Sequence, residues 1–156
     1  MTNMKFISHR GNIYEADRGR ENTPEYIGEA LEAGFDVEID VWYLKGEYFL
    51  GHDWAYHPVD VAFLKNPKLL CHAKNSEGLE HMLLEGGIHC FWHQEDRYTL
   101  SSLGIPIVYP GEIPLKNSIV MTRGIDLIPE LITANVCSAI CSDHVQLIID
   151  IREIML

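Results

Sequence analysis

A chain of 156 residues, 47 % hydrophobic and 22 % charged, has room for one globular domain with a real core and too little for two ordinary ones. Its formal net charge of −11 argues against wrapping a nucleic-acid backbone, which needs a basic surface, but admits a small anion held by local cations or a metal. The apolar runs are short and interrupted, so no membrane span is expected, and MTNMKFISHR lacks the apolar stretch of a signal peptide, so a cytoplasmic location is expected.

In chain order, KFISHR (5–10) reads as a first strand. Thr23 as N-cap, Pro24 at the first helical position and Glu25 at the positive end of the dipole start a helix that Gly34 stops. FDVEIDVWYL (35–44) alternates strictly and reads as a second strand, turned at Lys45-Gly46 into a hairpin arm, EYFLGHD (47–53). LLCHAK (69–74) is a third strand, followed by a helix that Ser76 can cap and that Gly86-Gly87 stops. IHCFWHQ (88–94), IPIVYP (105–110), SIVMT (118–122) and SAICSD (138–143) read as further strands, with a short helix over Ile125–Asn135 and a closing one in VQLIIDIREIML. Cys71, Cys90, Cys137 and Cys141 form no CxxC pair and read as small buried hydrophobes.

Repeated strand–helix–strand units imply a parallel sheet with helices outside it. The expected fold is α/β, a single domain over residues 1–156, and no GxGxxG loop favours an open doubly wound sheet. A (β/α)8 barrel usually takes about 250 residues. The expectation is therefore a reduced TIM-type (β/α) barrel with parallel strands and some helices shortened or missing. Gly111–Asn117 is too short for a crossover helix; extended, it reaches roughly 23 Å. Missing helices would leave apolar surface that a homodimer could cover.

The polar residues gather at strand ends. Glu38 and Asp40 are two apart in one strand, so both point to one face and repel unless a cation lies between them. Hard oxygen ligands suit Mg2+ or Ca2+, and His72 with Lys74 repeats the geometry on the next strand, beside the carboxylate pair. His9 and His52 can act as acid and base near neutral pH, and Arg10 and Lys74 can hold phosphoryl oxygens. Trp42 shares the face of Glu38 and Asp40 and is a candidate pocket wall; His93, at the end of CFWHQ, is a candidate substrate contact. Tyr109 and Arg123 lie at later strand ends. The set points to a metal-dependent phosphodiesterase acting on a small-molecule phosphodiester.

The order HRG (9–11), ENT (21–23), ExD (38–40) and HD (52–53) resembles the signature of the glycerophosphodiester phosphodiesterases, in the phosphatidylinositol-phospholipase-C-like phosphodiesterase superfamily. The resemblance implies a TIM barrel that cleaves a glycerophosphodiester with a divalent metal. It implies His9 and His52 as the catalytic histidines, Arg10 as phosphate contact, and Glu38 and Asp40 as metal ligands. Glu21 and Asn22 would stand behind the site, as would Asp53, the partner of His52. HAK (72–74) aligns with the family's ExK segment, with Lys74 matching its lysine and His72 replacing a ligating glutamate, which implies a mixed oxygen and nitrogen site that could favour Mn2+, Zn2+ or Fe2+ over Ca2+. SAICSD matches the family's last strand, which typically ends in a Thr-Asp step. The implied steps are attack of a neighbouring glycerol hydroxyl on phosphorus, protonation of the leaving alcohol, and hydrolysis of the cyclic phosphate. Two rivals share these residues: a lyase that stops at the cyclic phosphate, and a non-catalytic barrel that binds a phosphate ligand. The segment after HD is short (54–68), which bears on glycerol recognition.

Overall fold

The computed structural model describes residues 4–125 and 127–155. Its strands are β1 (Lys5–His9), β2 (Asp36–Leu44), β3 (Glu47–Leu50), β4 (His57–Val59), β5 (Leu69–Ala73), β6 (Cys90–Trp92), β7 (Tyr98–Leu100), β8 (Pro106–Val108), β9 (Ile119–Met121) and β10 (Ala139–Ser142). Its helices are α1 (Pro24–Glu32), α2 (Val61–Leu64), α3 (Ser76–Glu85), α4 (Ile128–Ala134) and α5 (Val145–Met155). All strands join one ten-stranded mixed sheet. Parallel pairing runs β6-β5-β2-β1-β10-β9-β8, with β3 and β4 added antiparallel at β2 and β7 antiparallel at β8.

The expected reduced TIM-type barrel is therefore wrong. This is a mixed sheet with a few short helices, not a succession of β/α units. The reason is chain length between strands. Residues 93–105 between β6 and β8 hold the β7 hairpin arm rather than a crossover helix, and residues 109–118 between β8 and β9 hold no helix. β2 also does more than a barrel strand would. Over one edge it pairs β1 through Asp36–Glu38 and then β3 through Val41–Leu44, while β5 takes the other edge.

Local signals explain most elements. Thr23 accepts from Tyr26 N, and Pro24 opens α1. The cap of α3 is Asn75, not Ser76: its Oδ1 accepts from Gly78 N and also from Tyr43 N, tying the helix to β2. β4, α2 and β7 are three or four residues long and carry no periodic signal.

Val37, Ile39 and Val41 are fully buried against Ile27 and Ala30 of α1 and Met82 of α3. The opposite face of the sheet carries a second cluster, in which Ile7, Leu70, Phe91, Ile107, Ile119 and Ala139 meet. Phe91 of β6 and Ile107 of β8 share it, so the sheet curls, and an isolated antiparallel bridge links Phe91 to Ser101. Along this inner face β1 and β5 change from apolar to polar over two residues, Ile7 to His9 and Leu70 to His72. That change places the site at the C-terminal strand ends, above an apolar floor.

Candidate metal and acid–base site

Strand register assembles the site. His9 lies opposite Glu38 across the β1–β2 pair, and Asp40 lies opposite His72 across the β2–β5 pair. Glu38 and Asp40 are both buried, which rules out a solvated edge-strand pair. Single ligand atoms of Glu38, Asp40 and His72 lie within 4.8 Å of one another.

Asp40 sits among cations. Arg10 Nε is 2.9 Å from its Oδ2 and Lys74 Nζ is 3.4 Å from its Oδ1. Asn22 clamps it from behind, with Nδ2 donating to Oδ2 and Oδ1 accepting from the Asp40 amide, each at 2.9 Å. Burial alone would raise the Asp40 pKa, but the approach of His72 and the charges of Arg10 and Lys74 hold it well below the usual carboxylate range. Glu38 is pushed the other way, by burial first and then by the charge of Asp40.

The donor set fits a divalent cation. Glu38 Oε2 and Asp40 Oδ1 are buried and accept no hydrogen bond. His72 Nδ1 is 3.2 Å from Asp40 Oδ1 and 3.7 Å from Glu38 Oε1, close but poorly aligned, so these are electrostatic contacts rather than hydrogen bonds. Its Nε2 lies 3.3 Å from the His93 carbonyl. Both ring nitrogens thus face acceptors, and a neutral imidazole has one N–H. A proton on Nδ1 favours the ionised Asp40; with a metal between the carboxylates the other tautomer fits, Nε2–H donating to His93 and the Nδ1 lone pair free to ligate.

His9 is held in one orientation. Its Nδ1 lies 2.7 Å from Asp143 Oδ1, and Asn12 Nδ2 donates to the same oxygen at 2.8 Å. Nε2 then faces the site, 3.7 Å from Glu38 Oε2. Burial works to lower the His9 pKa, but the Asp143 hydrogen bond and the charge of Glu38 outweigh it, and the net shift is upward from 6.5. Glu21 accepts from Arg10 Nη1 at 3.2 Å and from Asn12 Nδ2 at 2.9 Å, locking the HRGN turn. In that turn Arg10 has φ 58° and Gly11 φ 95°, and a Cβ on Gly11 would lie 2.8 Å from Tyr26 Cδ1.

Of the residues expected at the site, His9, Arg10, Glu38, His52, His72, Lys74 and His93 line one central cleft of about 410 Å³. His52 stands at its rim, also lining a second, polar cavity of about 680 Å³ with Arg18 and Asp53, and its Nδ1 is 2.7 Å from Asp53 Oδ1. Asn22 holds Asp40 rather than starting the helix; Thr23 does that. Trp42, the candidate pocket wall, makes a contact of a different kind. Its indole N–H donates to the Gly51 carbonyl at 2.7 Å, so it holds the loop that presents His52. His93 stacks on Tyr109, ring centroids 3.3 Å apart, and burial with the charges of His72 and Lys74 pushes its pKa down to about 4. Asp143 and Asn12 were not among the expected site residues. Asp143 ends SAICSD as a polar residue after an apolar strand, a visible signal, but its partner lies 134 residues away.

No family model and no curated protein matches the chain. Among the described residues, no helix is long and apolar enough to cross a membrane.

Proposed function

We propose that the chain is a metal-dependent phosphodiesterase acting on a glycerophosphodiester-like small molecule. One observation carries the reading: a buried carboxylate–carboxylate–imidazole cluster with unsatisfied oxygens lies beside an Asp-oriented histidine and two cations in one cleft. Support comes from the site and its motifs, not from the fold.

Glu38, Asp40 and His72 would hold the metal, which supplies Lewis-acid polarisation of a phosphoryl oxygen and offsets its developing charge. Arg10 and Lys74 add fixed positive charge where a phosphoryl group would sit. His9, with Nδ1–H committed to Asp143, offers Nε2 as base toward an attacking hydroxyl. His52, backed by Asp53, lines the same cleft as His9 and would donate the proton to the leaving alcohol. A neighbouring glycerol hydroxyl is the nucleophile, and water opens the cyclic phosphate with the histidine roles reversed.

The test is hydrolysis of a panel of glycerophosphodiesters, each with a free hydroxyl next to the ester oxygen, in added Mg2+, Ca2+ or Mn2+, with products followed by phosphorus NMR. His9→Ala and His52→Ala each abolish turnover while the circular dichroism is unchanged, and chelation abolishes it in the wild type. Wild-type turnover in either variant, or full activity after chelation, overturns the assignment. A cyclic phosphate that accumulates unopened identifies the lyase instead.

A further inference from the structure

The central cleft has two neighbours of opposite character. On one side it shares His9, Arg10 and His52 with the polar cavity. On the other it shares Tyr109, Met121, Thr122 and Arg123 with a third cavity of about 620 Å³. That third cavity is walled by Ile113, Pro114, Val120, Leu127, Leu131 and Val136, and its volume falls in the range of roughly 300–1,000 Å³ common for ligand sites. It lies where residues 109–118 join β8 to β9 without a covering helix. Its rim stays apolar in solvent: Ile113 is 76 % exposed and Leu127 60 %.

We infer that this cavity takes the hydrocarbon chain of an amphiphilic phosphate ester whose phosphate sits in the metal cleft, so that the substrate carries one polar and one long apolar alcohol. The inference rests on the phosphodiesterase reading for where the phosphate lies. Continuity selects this occupant. Tyr109, Met121, Thr122 and Arg123 wall both spaces, so the cavity begins where the cleft ends and an ester in the cleft has its chain next to the apolar wall. Arg123 is exposed at the junction, where an ester phosphate would pass. The polar cavity on the far side suits the second alcohol, because His52, Arg18 and Asp53 line it. A second copy of the chain seated on the same wall is the competing occupant.

The experiment compares octyl phosphate with ethyl phosphate, both below micellar concentration, by calorimetry on the full chain in Mn2+. The probes share the phosphate and differ in the chain. Octyl phosphate is expected to bind at least about tenfold tighter, since each buried methylene multiplies affinity severalfold. Ala134→Trp, which fills the cavity from α4, and Val136→Glu, which charges its wall, are expected to remove that advantage and leave ethyl phosphate unchanged. Both positions are exposed, so either variant keeps the fold testable by circular dichroism. Equal affinity for the two probes, no binding of either, or an advantage that survives both variants overturns the inference. So does sedimentation showing a dimer that either variant converts to monomer. Turnover of the glycerophosphodiester panel separates the two claims. Turnover without chain preference overturns the cavity's role and keeps the phosphodiesterase; chain-dependent binding without turnover of any diester does the reverse.

Discussion

At His9 the two ring nitrogens face different groups, Asp143 at 2.7 Å and Glu38 at 3.7 Å, and the first decides what the second can do. Asp143→Asn replaces a charged, acceptor-only carboxylate with an amide whose NH2 can donate to Nδ1 and favour the other tautomer, so turnover is expected to fall by about 10²-fold or more. The same change removes a contribution that raises the His9 pKa, so the His9 limb of the pH–rate profile moves to lower pH. A profile that stays in place with undiminished turnover would detach Asp143 from the chemistry. Glu38 makes a second prediction. Its pKa is raised by burial and by Asp40, and a ligating carboxylate must be ionised, so Mn2+ affinity falls as pH is lowered, beginning above the range of an ordinary carboxylate. Calorimetry in buffers of different ionisation enthalpy reads the released proton; pH-independent affinity would contradict the ligand assignment. These residues were legible from their type and strand position. Asp143 was not matched to His9, because a 134-residue separation carries no periodicity to read.

Elements aim the side chains. Asn75 caps α3 through Gly78 N and also bonds both backbone groups of Tyr43, so one side chain holds the helix to β2. Asn75→Ala is expected to cost about 1–2 kcal/mol, seen as a lower urea midpoint with unchanged slope. No change in midpoint would mean that Ser76 takes over the cap. Gly51 precedes His52 with φ 149°, and a Cβ there would lie 1.9 Å from the Trp54 carbonyl oxygen. Gly51→Ala must therefore move the loop held by Trp42, and the expected result is lost turnover with most of the fold's stability kept. Unaltered turnover would show that His52 does not depend on this loop. The long elements were readable because alternation over Asp36–Leu44 and the Thr23-Pro24-Glu25 start are strong local signals. β4, α2 and β7 were not, because three or four residues show no period.

Across the whole molecule, charge and topology set the remaining behaviour. The His9–Asp143 pair joins β1 to the turn after β10, so its titration is linked to stability. Asp143 has a lowered pKa, so its contribution is present above its unfolded value and is lost as pH falls through the folded one. His9 has a raised pKa, so its contribution is full below 6.5 and is lost as pH rises through the folded value. The Tm gap between wild type and Asp143→Asn is thus expected to be widest at about pH 4–6.5 and to narrow on both sides. A gap that widens steadily toward alkaline pH would refute the pairing. Taken alone, the sequence determined the strand and helix types of the long segments, the inner face that carries Glu38, Asp40 and His72, and a net charge of −11. Those follow from local periodicity, turn chemistry and composition. The tertiary structure alone decided that the sheet is mixed rather than a barrel of β/α units, that Asp143 orients His9, that Trp42 serves a loop, and that an apolar cavity adjoins the cleft. Each of these depends on how strands far apart in the chain take their register and on where a connection is too short to hold a helix. Local residue preferences do not encode either.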